Sequence, residues 1–251
     1  MPDWGWQLLL VPAGFVAGVV NTMAGGGSFL TLPALIFLSG LDPKIANGTN
    51  RLAILLSSAS ATATFHQSGH IDHRLVIRLS VPTLLGVPVG ALVAIYLPPR
   101  AFEPAFGAVF LAMAAVLALR PRLLLDVDRA PPESKLAEFA VFFGIGIYVG
   151  FIQAGMGILL LVGMGLFHAR ELVGANAVKN VIGLFVTIAA LAIFAAYGQV
   201  EWVPGLIMAA GNLLGGLVGA RLAIRKGSRW IFAFLLIVMI ATGLKLVWPS
   251  G

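Results

Sequence analysis

Apolar residues fill this chain in ten runs, at residues 6–23, 29–38, 45–65, 75–97, 101–119, 136–154, 158–167, 173–197, 202–224 and 230–247. The runs at 29–38 and 158–167 constrain the fold most. A helix that crosses a bilayer needs about 20 residues, within a range of about 17–25, and these two are too short. Each also follows a glycine-rich break, Asn21-Thr22-Met23-Ala24-Gly25-Gly26-Gly27-Ser28 in the first case and Gln153-Ala154-Gly155-Met156-Gly157 in the second. Glycine interrupts a helix because it gives up the most backbone entropy on ordering and adds no packing. In hydrocarbon the bared N–H and C=O groups survive only where protein or a watery cavity satisfies them. Each short run therefore reads as a half-helix, either returning to its own side in a hairpin or crossing at a thin place.

Only 10% of the residues are charged and 59% are hydrophobic, against about 25% charged in soluble domains. The expected class is an all-α polytopic membrane protein of the cytoplasmic (inner) membrane, with the lipid bilayer as its main partner. In a soluble protein the net charge of +6 would suggest nucleic acid. In so apolar a chain it reads as loop charge that sets topology, with no nucleic-acid partner. Cysteine is absent, which removes disulfides, thiolate metal sites and cysteine nucleophiles. The N-terminus lacks a basic n-region and a small-residue cleavage site, so the first run reads as a retained membrane segment.

The one charged, non-apolar stretch, residues 120–135, divides the chain into a first half (1–119) and a second half (136–251). The halves resemble each other. A shift of 129 places Ala46-Asn47 on Ala175-Asn176, Gly69 on Gly198, Gly86 on Gly215, Gly90-Ala91 on Gly219-Ala220 and Arg100 on Arg229. With a further shift of three, Gly18 falls on Gly150 and Asn21 on Gln153. Lys and Arg placement puts the linker on the cytoplasmic side. The loops at 67–74 and 225–229 then lie inside, and those at 40–44, 98–100 and 199–201 outside. Corresponding loops land on opposite sides, so the expected architecture is two inverted repeats, each a glycine-broken helical hairpin plus three spanning helices.

Inverted repeats with broken helices are a mark of secondary transporters, whose site lies near the midplane where the repeats meet. Half-helix N-termini present free N–H groups and a positive dipole end, which favour anions. Gly25, Gly26, Gly27 and Ser28 from one half, with Gly155 and Gly157 from the other, are the candidate cradle; Ser28 is also placed to cap its half-helix. Positions three and four apart share a helix face. Asn47, Asn50 and Arg51 thus form one polar stripe, and Asn176, Lys179 and Asn180 the matching one. A charge inside a membrane helix is a functional hypothesis by default, and the bland alternative is that both cations snorkel to the interface. Asn21 and Gln153 flank the breaks. His66, with His70, His73 and Asp72 around the first inside loop, is a candidate proton carrier, and the spacing fits no metal site. His168 reads as a turn residue beside Arg170 and Glu171. The spacings Gly14–Gly18, Gly86–Gly90, Gly146–Gly150 and Gly211–Gly215–Gly219 read as helix-packing faces. Trp4, Trp6, Trp202, Trp230 and Trp248, at run ends, read as interfacial anchors.

The stretch from Gly18 to Pro33, GVVNTMAGGGSFLTLP, resembles the N-terminal signature of the TauE/SafE sulfite exporter family, and Ala46-Asn47-Gly48-Thr49-Asn50-Arg51, the central linker and the duplicated halves are similar to that family too. The resemblance implies export of sulfite or a small organosulfonate such as sulfoacetate, with no cofactor. The residues alone imply an inverted-repeat transporter for a small anion. A passive anion channel and a carrier of an unrelated anion are the alternatives, and homodimerisation is left open. An enzyme is not expected: no P-loop, nucleophile elbow or HExxH is present, and the runs hold no acidic residue beyond Glu103 and Glu138 near their ends.

Overall fold

The computed structural model describes residues 4–119, 134–168 and 172–226. Among these the chain is helical throughout: α1 (Trp4–Leu8), α2 (Leu10–Ala24), α3 (Ser28–Ser39), α4 (Pro43–Gln67), α5 (His73–Tyr96), α6 (Pro99–Leu119), α7 (Lys135–Phe151), α8 (Met156–Phe167), α9 (Leu172–Ala196) and α10 (Trp202–Lys226). Most of the linker, the run at 230–247 and the anchors Trp230 and Trp248 lie outside the described residues. The local signals are those expected of helix starts. Asp42 precedes Pro43 and accepts from the Lys44 N–H at 2.8 Å, Asp72 accepts from Leu75 N–H, and Ser134 accepts from Ala137 N–H.

By length and composition three described helices can cross a membrane: His73–Tyr96, Leu172–Ala196 and Trp202–Ile224. α4 is as long as α9 and α10, at 25 residues, but its polar stripe lowers its hydropathy. It lies inside the bundle against α9 and α10, where that stripe is shielded.

Contacts at the helix ends sort them onto two faces. At the first face, Lys44 Nζ donates to the carbonyls of Ile95 and Leu97 at 2.6 and 3.0 Å. The Glu201 N–H donates to Thr49 Oγ1 at 2.9 Å, and the Tyr96 and Tyr197 hydroxyls meet at 3.4 Å. At the second face, Ala61 and Phe65 of α4 pack with Ala177 of α9 and Ala220 of α10. There Arg78 of α5 pairs with Glu138 of α7.

Glycines set the close pairings. A Cβ at Gly211 or Gly215 would overlap the Val11 or Phe15 carbonyl oxygen, so α2 runs parallel to α10 in direct backbone contact. A Cβ at Gly86 or Gly90 would overlap the Phe143 or Ile147 carbonyl oxygen, which sets α7 parallel to α5 in the same way. Small residues spaced by four give helices this approach.

These pairings resolve the path of the broken helices. α2 enters from the first face beside α10, and α3 turns back toward the start of α4. α7 enters from the second face beside α5. α8 returns along it, with Gly163 against Phe142 and Ile145, and His168 Nε2 ends 3.3 Å from Glu138 Oε2, near where α7 began. Both pairs are re-entrant hairpins, one from each face. Their returning arms are 12 residues each, about 18 Å at 1.5 Å per residue, which is more than half of a hydrocarbon core of about 30 Å.

Candidate transport site

The two hairpin tips touch. Gly25 ends α2 at φ +81° and Gly155 precedes α8 at φ +72°, left-handed backbone that glycine adopts without strain. A Cβ on Gly25 would overlap the Gly157 backbone, and one on Gly157 would overlap Gly25 Cα. The Gly157 N–H donates to the Gly25 carbonyl at 3.2 Å. One donor expected to face an anion is thus used in this contact.

Each tip is held by a cation from the opposite half of the chain. Lys179 Nζ donates to the carbonyls of Asn21 and Thr22, at 3.0 and 2.8 Å, and to Asn176 Oδ1 at 2.8 Å. Arg51 donates from Nη1 to the Val149 carbonyl at 3.2 Å and from Nη2 to the Gly150 carbonyl at 2.8 Å. Asn47 Nδ2 takes the Phe151 carbonyl at 2.9 Å. The last four carbonyls of a helix lack intrahelical partners. For α7 all four are accounted for: Tyr148 by the Ile152 N–H, the next two by Arg51, and Phe151 by Asn47. The Arg51 guanidinium also lies 4.3 Å from the centre of the Phe194 ring.

Arg51 is 0% exposed and Lys179 2%, which removes the snorkelling alternative. Among the described residues, neither pairs with a carboxylate. Helix C-termini, carrying about half a negative charge each, take the place of one.

The other candidates fall around this centre. Asn50 donates from Nδ2 to Ser28 Oγ at 3.1 Å and accepts from the Thr31 hydroxyl. Ser28 does not cap its helix, contrary to expectation: the residue before α3 is Gly27, already helical at φ −57°, ψ −33°, with no side-chain cap. Gly26 and Gly27 supply the carbonyls that start α3, accepting from Phe29, Leu30 and Thr31. Asn180 donates to the Asn176 carbonyl of its own helix. Asn21 Nδ2 is 3.5 Å from Ser57 Oγ, and Gln153 Nε2 donates to the Thr187 hydroxyl. Buried polar oxygens without a hydrogen-bond partner among the described residues include Thr22 Oγ1, Ser58 Oγ, Asn47 Oδ1 and Gln153 Oε1. His66 is not brought here. It is exposed at the far end of α4, about 24 Å along the helix from Asn50, with its ring 6.1 Å from that of His73. No group of three metal-ligating side chains occurs among the described residues.

The sequence reading passed over Thr31, Ser57, Ser58, Thr187 and Phe194. The shift of 129 that aligns the halves also places Ser58 on Thr187, and that signal would have found both.

Helices apolar enough to span, two re-entrant half-helix pairs and a buried polar centre define a membrane protein of transporter type. The family model for the sulfite exporter TauE/SafE matches residues 10–246, and the chain belongs to that family. It is 30% identical to the probable membrane transporter protein ORF9 of Sinorhizobium sp, over 98% of this chain and 95% of that protein. It is 29% identical to a probable membrane transporter protein of Haemophilus influenzae, over 99% and 98% of the two chains, and 29% identical to the probable membrane transporter protein YfcA of Escherichia coli K12, over 94% and 87%. The protein is thus a membrane transporter of this family.

Proposed function

We propose that the protein exports a small sulfur oxyanion, sulfite or an organosulfonate such as sulfoacetate, across the cytoplasmic membrane by alternating access. In this reading its halves, 1–119 and 136–251, are inverted repeats joined by a cytoplasmic linker. The second face, which carries Arg78, Lys135 and the end of α10, is the cytoplasmic one. The repeat is supported by equivalent contacts in the two halves. Gly86 and Gly90 of α5 pack on α7 as Gly215 and Gly219 of α10 pack on α2, and Gly69 and Gly198 each turn a loop at positive φ.

One observation carries the choice of an anion: two cations that pair with no carboxylate among the described residues sit at the tips of the two hairpins. Two full positive charges, two helix C-termini at about −0.5 and two helix N-termini at about +0.5 leave a net of roughly +2 in low dielectric. A divalent or monovalent oxyanion matches that field. The amide and hydroxyl donors of Asn47, Asn50, Asn176, Asn180 and Ser28, with the backbone of Gly25, Gly26, Gly27, Gly155 and Gly157, surround it; Asn21 and Gln153 stand at its edge. An entering oxyanion competes with backbone carbonyls for Lys179 and Arg51, and a charge-assisted bond to an anion is the stronger of the two. Substrate binding therefore loosens the caps that hold the tips together. That links occupancy to movement. The near-complete burial of these side chains suits the occluded state such a carrier passes through. Export also runs down a potential that is negative inside, gaining about 2.3 kcal/mol per charge per 100 mV.

Proteoliposomes loaded with labelled sulfite or sulfoacetate test this. Saturable efflux with counterflow is expected. Absence of efflux for both anions refutes the substrate, and unsaturable flux without counterflow refutes the carrier mechanism in favour of a channel.

A further inference from the structure

Transporters with broken helices commonly bind a coupling Na⁺ on unwound carbonyls and on the C-terminal ends of half-helices. In this protein the same kind of position is filled by the chain itself. We propose that Lys179 is a resident substitute for a coupling cation, so that the transport cycle neither binds nor requires Na⁺. This rests on the carrier reading above and adds to it the ion coupling of the same site.

The argument starts from the ligand set. Lys179 Nζ is surrounded by the oxygens of Asn21, Thr22 and Asn176 at 2.8–3.0 Å. Two are main-chain carbonyls at a helix C-terminus and the third is an amide oxygen, the neutral oxygen donors that hard cations take. All three ammonium protons are used. The ammonium brings the single charge that the helix end attracts, on a stem that cannot leave. A mobile ion in that cage would bind and dissociate once per cycle and so draw on its gradient; a tethered one cannot. The second hairpin repeats the device with Arg51 on the Val149 and Gly150 carbonyls. Both cations come from the half of the chain opposite the carbonyls they hold. Each therefore does what a bound ion does between two moving bodies, which is to tie them together until something competes for it. His66, the sequence candidate for proton coupling, lies at the far end of α4 and plays no part in this cage.

The test uses the purified full-length chain and needs no substrate. Thermal unfolding midpoints are compared in NaCl, KCl and choline chloride at equal ionic strength. Wild type is expected to give the same midpoint in all three. Lys179→Ala empties the cage without removing its oxygens, so its midpoint falls in choline chloride and is raised saturably by NaCl. Lys179→Met, whose stem fills the same space, stays insensitive to Na⁺. A Na⁺-specific shift in wild type overturns the proposal. So does a Lys179→Ala protein that gains nothing from Na⁺ or cannot be recovered folded even in NaCl, and so does an equal Na⁺ response in Lys179→Met, which would place the ion elsewhere. In proteoliposomes, wild-type efflux is unchanged when choline replaces Na⁺ on both sides, and Lys179→Ala efflux becomes Na⁺-dependent. Absence of wild-type efflux would refute the substrate reading alone, because the unfolding comparison decides the cation question without it.

Discussion

Gly25 offers the sharpest test of the tip-to-tip contact, because Gly40 supplies an internal control. Both residues end a helix in the left-handed region, at φ +81° and +65°. An alanine at either pays the left-handed penalty of about 1–2 kcal/mol, and the entropy change in the unfolded chain is shared. A Cβ at Gly40 meets nothing within 4 Å. One at Gly25 overlaps the Gly157 Cα and carbonyl carbon and lies 2.6 Å from the Ile158 nitrogen. These are backbone atoms that cannot rotate aside, so the tips must part. Overpacking costs about 1–3 kcal/mol, and losing the Gly157 to Gly25 hydrogen bond costs about 1 kcal/mol more. Gly25→Ala is therefore expected to destabilise by about 3–6 kcal/mol and Gly40→Ala by about 1–2 kcal/mol. At about 2–4 °C per kcal/mol for a chain of this size, the thermal midpoint in detergent should fall at least twice as far for Gly25→Ala. Equal shifts would mean that the hairpins do not meet at Gly25, and the site drawn from that contact would fall with it.

Two further comparisons follow from who is left unpaired. Arg78→Ala strands Glu138, whose side chain is 7% exposed, beside His168, and should cost about 3–5 kcal/mol. Glu138→Gln leaves Arg78, which is 49% exposed, free to hydrate, so it should cost about 1–2 kcal/mol; equal unfolding midpoints for the two variants would contradict the assigned burial. Lys44 and Lys179 each place an ammonium on two helix-end carbonyls, but only Lys179 is fully buried. Lys44→Met should cost about 1 kcal/mol, because water reaches this part-buried site, whereas Lys179→Met leaves the Thr22 carbonyl and Asn176 Oδ1 buried and unpaired at about 1–3 kcal/mol each, the Asn21 carbonyl keeping the Gly25 N–H. Hydrogen exchange or thermal unfolding would order them.

Much of the fold was legible because membrane helices advertise their length and their breaks. The short runs at 29–38 and 158–167 became α3 and α8 within two residues at each end, and the four-residue glycine spacings marked the α2–α10 and α5–α7 contacts. Hairpin or crossing was undecided, since both have the same local pattern. Tertiary contacts separate them: the parallel glycine pairings fix the faces at which α2 and α7 enter, and His168 beside Glu138 returns α8 to the face where α7 began. The polar stripes were visible by spacing, but not the partners of Arg51 and Lys179. A backbone carbonyl of another helix has no sequence signature. Ser28 fails as a cap for a related reason: capping needs a non-helical residue before the first turn, and here the glycine before it is already helical, so the hydroxyl accepts from Asn50 instead.

The choice of Arg at one tip and Lys at the other follows from how the two helices end. α7 ends in extended backbone at Ile152, φ −143°, ψ 131°, which leaves three successive carbonyls, Val149 to Phe151, without backbone donors. A planar fork can span two of them while Asn47 takes the third. α2 instead curls into the left-handed Gly25, whose N–H returns to Asn21 and Val20. Lys179 then sits on a tight pair, the Thr22 carbonyl and the Asn21 carbonyl that also accepts from the Gly25 N–H, with Asn176 opposite, a pocket for a compact ammonium. The two positions are also out of register: under the 129-residue shift Arg51 aligns with Asn180, and Lys179 with Asn50. One residue turns the side chain by about 100° around the helix, so each cation reaches its carbonyls from a different azimuth. Charge alone is then insufficient. The double exchange Arg51→Lys with Lys179→Arg keeps every charge, yet should lose at least one buried hydrogen bond at each tip, about 1–3 kcal/mol apiece, and should lose transport with it. If the exchanged protein melts and transports like wild type, the tips respond to net charge and not to donor geometry, and the role assigned to the two helix ends is wrong.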